Sequence, residues 1–206
     1  IPTTDRSAVG YLLKMSDYVD VIIPRGGKSL IERVSNESKV HVIKHLDGIC
    51  HTYIHKSSKP DLCKNVTVNA KMRRPGICGA TETILFDKEV LNSHLPMIID
   101  SLKILKCEIR GDEKVLKLDK SIKPALNKDW ETEYLDKIIS IKSVSNGVEE
   151  AVEHINFYGS GHTDAILSED SKSVEYFMQN VDSGIVMHNT STQFADGGEF
   201  GMGAEI

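Results

Sequence analysis

Strand-like and helical stretches alternate along this chain from one end to the other, and that alternation limits its fold more than any other feature. From Thr4, "TDRSAVGYLLKM" sets Ala8, Val9, Leu12 and Leu13 at helical spacing behind a capping-type residue. "YVDVIIP" is a β-branched run closed by Pro24, and "RGGKSLIERVSNES" restarts a helical pattern at Leu30, Ile31 and Val34. "KVHVIKHL" and "ICHTYIH" alternate as strands do, "KPDLCKNVTVNAKMRRPG" predicts a helix stopped at Pro75, and "ETILF" predicts a strand. A long helix over "KEVLNSHLPMIIDSLKIL", with Pro96 as a break point, precedes a short strand in "CEIRGD". The rest continues in the same manner: strand "KIISIKSV", helix from Asn146, strand "DAILS", helix capped by Asp170 or Ser171, strand "SGIVMHN". Such βα alternation implies an α/β fold with a largely parallel sheet covered on both faces.

Composition narrows the function. With 40% hydrophobic and 27% charged residues the chain can build a core, so disorder is excluded for most of it. Apolar runs such as "VDVIIP" and "PMIID" fall far short of the roughly 18 residues of a membrane span. A formal charge of -5 argues against a nucleic-acid or anionic-membrane surface. Four irregularly spaced cysteines, Cys50, Cys63, Cys78 and Cys107, make no secreted disulfide framework, and the expected compartment is a reducing cytoplasm.

Among the motifs, "GGKS" at Gly26 to Ser29 lacks the opening glycine of a Walker loop, since that position is Ile22. What remains is a strand-to-helix turn beside Arg25 and Lys28, compatible with a cofactor phosphate and equally with a solvated turn. His41, His45, His51 and His55 repeat at i, i+4, but on strands residues four apart lie roughly 13 Å from each other. Structural histidines are expected there and no metal site. The dinucleotide fingerprint G-x-G-x-x-G is absent. Cys78, in "AKMRRPGICGATE", lies in a loop after Pro75 with Lys71, Arg73 and Arg74 nearby, surroundings that stabilise a thiolate; the alternative is a small buried hydrophobe.

Six segments, "VIIPRGGKSLI", "VIKHLDGICHTY", "VNAKMRRPGICGATETILF", "DWETEYLDKIISIK", "HINFYGSGHTDAI" and "STQFADGGEFGMGAEI", run in one order over nearly the whole chain. They closely resemble the gamma-glutamyl phosphate reductase (glutamate-5-semialdehyde dehydrogenase) family of the aldehyde dehydrogenase superfamily. The resemblance implies an aldehyde dehydrogenase-like, three-layer α/β fold. Residues 1–60 would be the C-terminal part of an NADP-binding domain and 61–206 a catalytic domain incomplete at its C-terminal end, so the chain reads as an internal piece of a longer one.

The family's reaction is NADPH-dependent reduction of L-glutamyl 5-phosphate to L-glutamate 5-semialdehyde in proline biosynthesis. By the resemblance Cys78 is the nucleophile. Arg25, Gly26, Gly27, Lys28 and Ser29 lie where the superfamily meets the cofactor pyrophosphate, and Glu133 where a carboxylate meets the nicotinamide ribose. His162, Ser191, Thr192 and Phe194 match segments near the substrate pocket, with Arg73 or Arg74 available to neutralise phosphate or carboxylate. Gln193 stands where the family commonly has Arg, a departure that touches the carboxylate grip. His45 stands near where hydrolytic aldehyde dehydrogenases carry a water-activating Glu, and its absence favours acyl phosphate chemistry. A homo-oligomer and functional coupling to glutamate 5-kinase are further implications for the full-length protein. Two alternatives remain: a hydrolytic aldehyde dehydrogenase, and a truncated domain without turnover.

Overall fold

The computed structural model describes residues 3–203, which divide into two compact units at Asp47/Gly48. In the smaller unit helix α1 (Ser7–Leu12), strand β1 (Val21–Ile22), helix α2 (Lys28–Glu37) and strand β2 (His41–Val42) follow one another. β1 and β2 pair parallel, Val21 opposite His41. Both are shorter than their β-branched runs predict. Each has a single partner, and Pro24, with no N–H to donate, ends the extended run after β1. Ile31 and Val34 bury the apolar face of α2, as their spacing requires.

The larger unit holds strands β3 (Cys50–Ile54), β4 (Thr81–Asp87), β5 (Glu108–Gly111), β6 (Lys123–Pro124), β7 (Ile138–Val144), β8 (Thr163–Leu167) and β9 (Ile185–His188). They form one sheet in the order β6-β5-β7-β4-β3-β8-β9, parallel at every pairing. Helices α3 (Pro60–Met72), α4 (Leu91–Ile104) and α5 (Glu113–Leu118) cover one face, and α6 (Val148–Tyr158) and α7 (Ser171–Asn180) the other. The period of two along each strand decides which side chain goes where. Ile54, Ile84, Phe86, Ile139, Ile141 and Leu167 pack with α3 and α4, while Tyr53, Leu85 and Ile166 pack with α6 and α7. β4 is buried at all seven positions, as a central parallel strand must be.

The boundary expected near residue 60 does not coincide with the division of the chain. β3 lies in the interior of the seven-stranded sheet between β4 and β8, and its five residues are all buried, so the larger unit begins before it. Pro96 does not break α4. It sits at the sixth position of a continuous 14-residue helix, whose buried Leu91, Leu95, Ile98, Ile99 and Leu102 hold it against the sheet. The short α5, β6 and a 3-10 turn at Asn127–Glu131 were not evident from periodicity, because each is too short to show one. α7 is capped by the Asp170 carboxylate, which accepts from the Ser173 N–H at 3.0 Å.

Candidate active site around Cys78

In a parallel sheet every strand starts on the same edge. The segments just before β3, β4, β7 and β8 bring Gly48, Cys78, Glu133 and His162 to that edge, opposite the carboxyl edge where open α/β sheets usually bind ligands. Of the four thiols, Cys50, Cys63 and Cys107 are buried and only Cys78 is half-exposed. Burial pushes Cys63 up to about 11 and Cys107 up to about 12, and it raises Cys50 well above the ordinary thiol range. None of these three is a thiolate at neutral pH.

The Cys78 loop is fixed by its own backbone. A Cβ placed on Gly48 would lie 2.1 Å from the Cys78 carbonyl oxygen and 2.5 Å from its Cα, so glycine alone permits this approach. The Cys50 thiol donates to the Cys78 carbonyl at 3.1 Å. The Thr192 hydroxyl donates to the Gly79 carbonyl at 2.7 Å and meets the Thr81 hydroxyl at 3.0 Å, which in turn meets Thr52 at 2.7 Å. This hydroxyl ladder ties the loop to β3 and β4 and to the 3-10 turn Thr192–Phe194. Ser191 caps that turn, accepting from the Gln193 N–H at 3.3 Å. The hydroxyls of Ser191 and Thr192, expected at the substrate, are buried and bonded to the chain itself.

The cations expected beside the thiol are distributed otherwise. Lys71 is fully buried and donates to the Glu82 carboxylate at 2.5 Å. Burial pushes Glu82 up to about 7 against the pull of Lys71. Arg73 pairs with Glu199 at 2.5 Å and lies over the Phe194 ring, its guanidinium carbon 5.1 Å from the centroid. Arg74 is exposed. Gln193 is 5% exposed and donates through Nε2 to the Ala70 carbonyl at 2.8 Å, closing the end of α3. No pattern in the sequence announced the Lys71–Glu82 pair or the Gly48 contact, because both depend on segments that meet only in the fold.

Glu133 accepts from the Gly48 N–H through Oε1 at 2.8 Å, and Glu82 accepts from the Leu135 N–H at 3.4 Å. The 133–135 turn is therefore bound to the same framework as the nucleophile loop. His162 follows Gly161, which has φ +71°, and its Nδ1 stands 2.8 Å from the Thr163 hydroxyl and 3.7 Å from the Cys50 sulfur. His51 and His55 have separate partners, Asp164 at 3.0 Å and Ser57 at 2.9 Å.

In the smaller unit, Gly27 caps α2 in extended backbone with no side-chain cap, leaving first-turn N–H groups for an anion. Lys28 bonds Asp47 at 3.1 Å. His45 is exposed in the loop after β2. Among the described residues no helix is long and apolar enough to cross a membrane.

No family model matches the chain. It is 58% identical over 206 residues to a gamma-glutamyl phosphate reductase of Rhodospirillum rubrum, covering all of this chain and 48% of the relative. The crystal structure of a gamma-glutamyl phosphate reductase from Thermotoga maritima superposes with a TM-score of 0.95 at 40% identity, over 100% of this chain and 49% of that one. A glyceraldehyde-3-phosphate dehydrogenase of Methanocaldococcus jannaschii complexed with NADP shares the fold at TM-score 0.72 and 18% identity, over 91% of this chain and 50% of its own. The chain is a homologue of the gamma-glutamyl phosphate reductases, matched along its whole length and spanning about half the length of such relatives.

Proposed function

We propose that this chain supplies the nucleophile of an NADP-dependent reduction of L-glutamyl 5-phosphate to L-glutamate 5-semialdehyde, a step of proline biosynthesis. The observation that carries the reading is Cys78, the one half-exposed thiol, held in a loop that Gly48 and Thr192 lock from two sides. Its thiolate attacks the acyl carbon, the C–S bond forms, and the C–O bond to phosphate breaks, leaving a thioester on Cys78. In this reading the Cys78 N–H donates to the oxyanion of that step. A bound nicotinamide cofactor supplies the hydride. The thiolate is then released from the reduced carbon and the aldehyde departs.

Taken unit by unit, the residues present suit separate parts of such a cofactor. Gly27, Lys28 and Ser29 offer helix-terminal N–H groups to a phosphate, with Arg25 and Gly26 in the same turn and the Lys28 ammonium on Asp47. Glu133 keeps Oε2 for a ribose hydroxyl while Oε1 is anchored on Gly48. By the resemblance His162, Phe194, Arg73 and Arg74 are assigned to the acyl-transfer side, with Thr192 acting through the loop it holds and Ser191 through the turn it caps. The full-length protein is proposed to act as a homo-oligomer functionally coupled to glutamate 5-kinase.

In the full-length protein, NADP reduction by glutamate 5-semialdehyde is expected to require inorganic phosphate and to fall at least about a thousandfold in Cys78→Ser, measured spectrophotometrically. Equal rates without phosphate would instead indicate a hydrolytic dehydrogenase. Undiminished activity in the variant would remove Cys78 from the reaction.

A further inference from the structure

Two thiols and one imidazole meet where strands β3, β4 and β8 begin. Cys50 opens β3 opposite Thr81 of β4, and the register of the two strands shifts between Cys50 and His51. Cys78 lies in the loop that leads into Thr81. The Cys50 sulfur is 3.1 Å from the Cys78 carbonyl oxygen and 3.7 Å from His162 Nδ1. A ring nitrogen of His162 in turn stands within 4.8 Å of the Cys78 sulfur. Cys50 is fully buried, and burial, the Asp164 carboxylate and Cys78 itself raise its thiol. Cys63 and Cys107 sit elsewhere, in the apolar layer that packs the sheet against α3 and α4. The reaction proposed for Cys78 gives Cys50 no chemical step.

We propose that Cys50 is the resolving thiol of Cys78, the two forming a reversible disulfide when a hydroperoxide enters the site. The half-exposed Cys78 meets the oxidant, so Cys50 needs no surface of its own. The Cys78 thiolate attacks a peroxide oxygen: the S–O bond forms, the O–O bond breaks, and Cys78 becomes a sulfenic acid. The proton that Cys78 gave up joins the leaving oxygen. The Cys50 sulfur then attacks the Cys78 sulfur, forming the S–S bond and breaking the S–O bond. The Cys50 proton passes by way of His162 Nδ1 to the departing hydroxide, which leaves as water. One hydroperoxide has then taken two electrons from two thiols, and a thiol reductant returns them by exchange. Rotation of Cys78 about χ1 brings the sulfurs together without moving β3. The backbones already touch there, since a Cβ on Gly48 would lie 2.5 Å from the Cys78 Cα. A sulfenic acid with no thiol beside it goes on to the irreversible sulfinic acid, and the disulfide stops Cys78 short of that. From the reductase reading the proposal takes only that Cys78 is nucleophilic.

The test treats full-length protein with equimolar hydrogen peroxide in the absence of substrate and cofactor, blocks the remaining thiols with iodoacetamide, and maps the peptides by mass spectrometry without reduction. The wild type is expected to show the Cys50 and Cys78 peptides linked to each other, and dithiothreitol to separate them. In Cys50→Ser the same treatment is expected to leave a Cys78 sulfenic acid that dimedone traps, and more peroxide to carry it to the sulfinic acid. The share of each protein's own starting activity that dithiothreitol restores after excess peroxide is expected to be at least about fivefold smaller in the variant. Referring each protein to its own starting activity removes any effect of the substitution on the loop, and the wild-type map needs no variant at all. A wild type that oxidises at Cys78 with no link to Cys50, or that recovers no better than Cys50→Ser, would overturn the proposal. The link in a protein without phosphate-dependent turnover leaves the disulfide standing and removes the reductase reading; phosphate-dependent turnover without the link does the reverse.

Discussion

Gly48→Ala is expected to lower kcat/KM of the full-length protein by about a hundredfold or more and to slow alkylation of Cys78 by iodoacetamide. The added Cβ would stand 2.1 Å from the Cys78 carbonyl oxygen, 2.5 Å from its Cα and 2.6 Å from its carbonyl carbon. All three are backbone atoms, so no flexible side chain can give way and the loop itself must move. A shift of about 1 Å in a reacting atom costs on the order of 10²-fold. Gly79 provides the contrast: its Cβ would meet the Thr192 carbonyl oxygen at 3.3 Å, which asks for a few tenths of an ångström only. Gly79→Ala is therefore expected to retain most activity. Wild-type kinetics in Gly48→Ala would mean that this contact does not hold the nucleophile.

Lys71→Met is expected to destabilise the protein by about 3–5 kcal/mol at pH 8, because it leaves the Glu82 carboxylate buried without its cation. The cost shrinks toward pH 6. Glu82 in the folded protein titrates near 7, above its ordinary value of 4.5. Between those values the folded state keeps a proton that the unfolded state has released, so this group's contribution to stability falls as pH rises through 7. Removing Lys71 raises the carboxyl further and enlarges that pH dependence. Replacing both residues, Lys71→Met with Glu82→Leu, removes the unpaired charge and is expected to restore most of the loss. Urea unfolding at the two pH values reads all of this. A loss under 1 kcal/mol at pH 8, independent of pH, would contradict the role given to the pair.

Much of the fold was legible in the sequence because its elements obey simple periods. β4 and β7 are long enough to show their β-branched character, and α6 and α7 carry apolar residues at helical spacing. The unit boundary was not legible. β3 follows β2 after a short loop, and nothing local in "ICHTYIH" reveals that it will enter the interior of another sheet. The thiol was singled out by its loop and neighbouring cations, yet Lys71 and Arg73 turned out to serve carboxylates brought from Glu82 and Glu199. Long-range partners of this kind leave no trace in spacing. The same is true of Thr192, whose hydroxyl is spent on the Gly79 carbonyl, more than a hundred residues away along the chain.

The most direct test of the central claim is to trap the acyl group. Full-length protein mixed with glutamate 5-semialdehyde and NADP in the absence of phosphate, quenched in acid and mapped by peptide mass spectrometry, should carry a glutamyl thioester on the peptide containing Cys78 and on no other cysteine. Added phosphate should discharge it. A modified Cys50, Cys63 or Cys107, or NADP reduction with no covalent acyl group at all, would contradict the account.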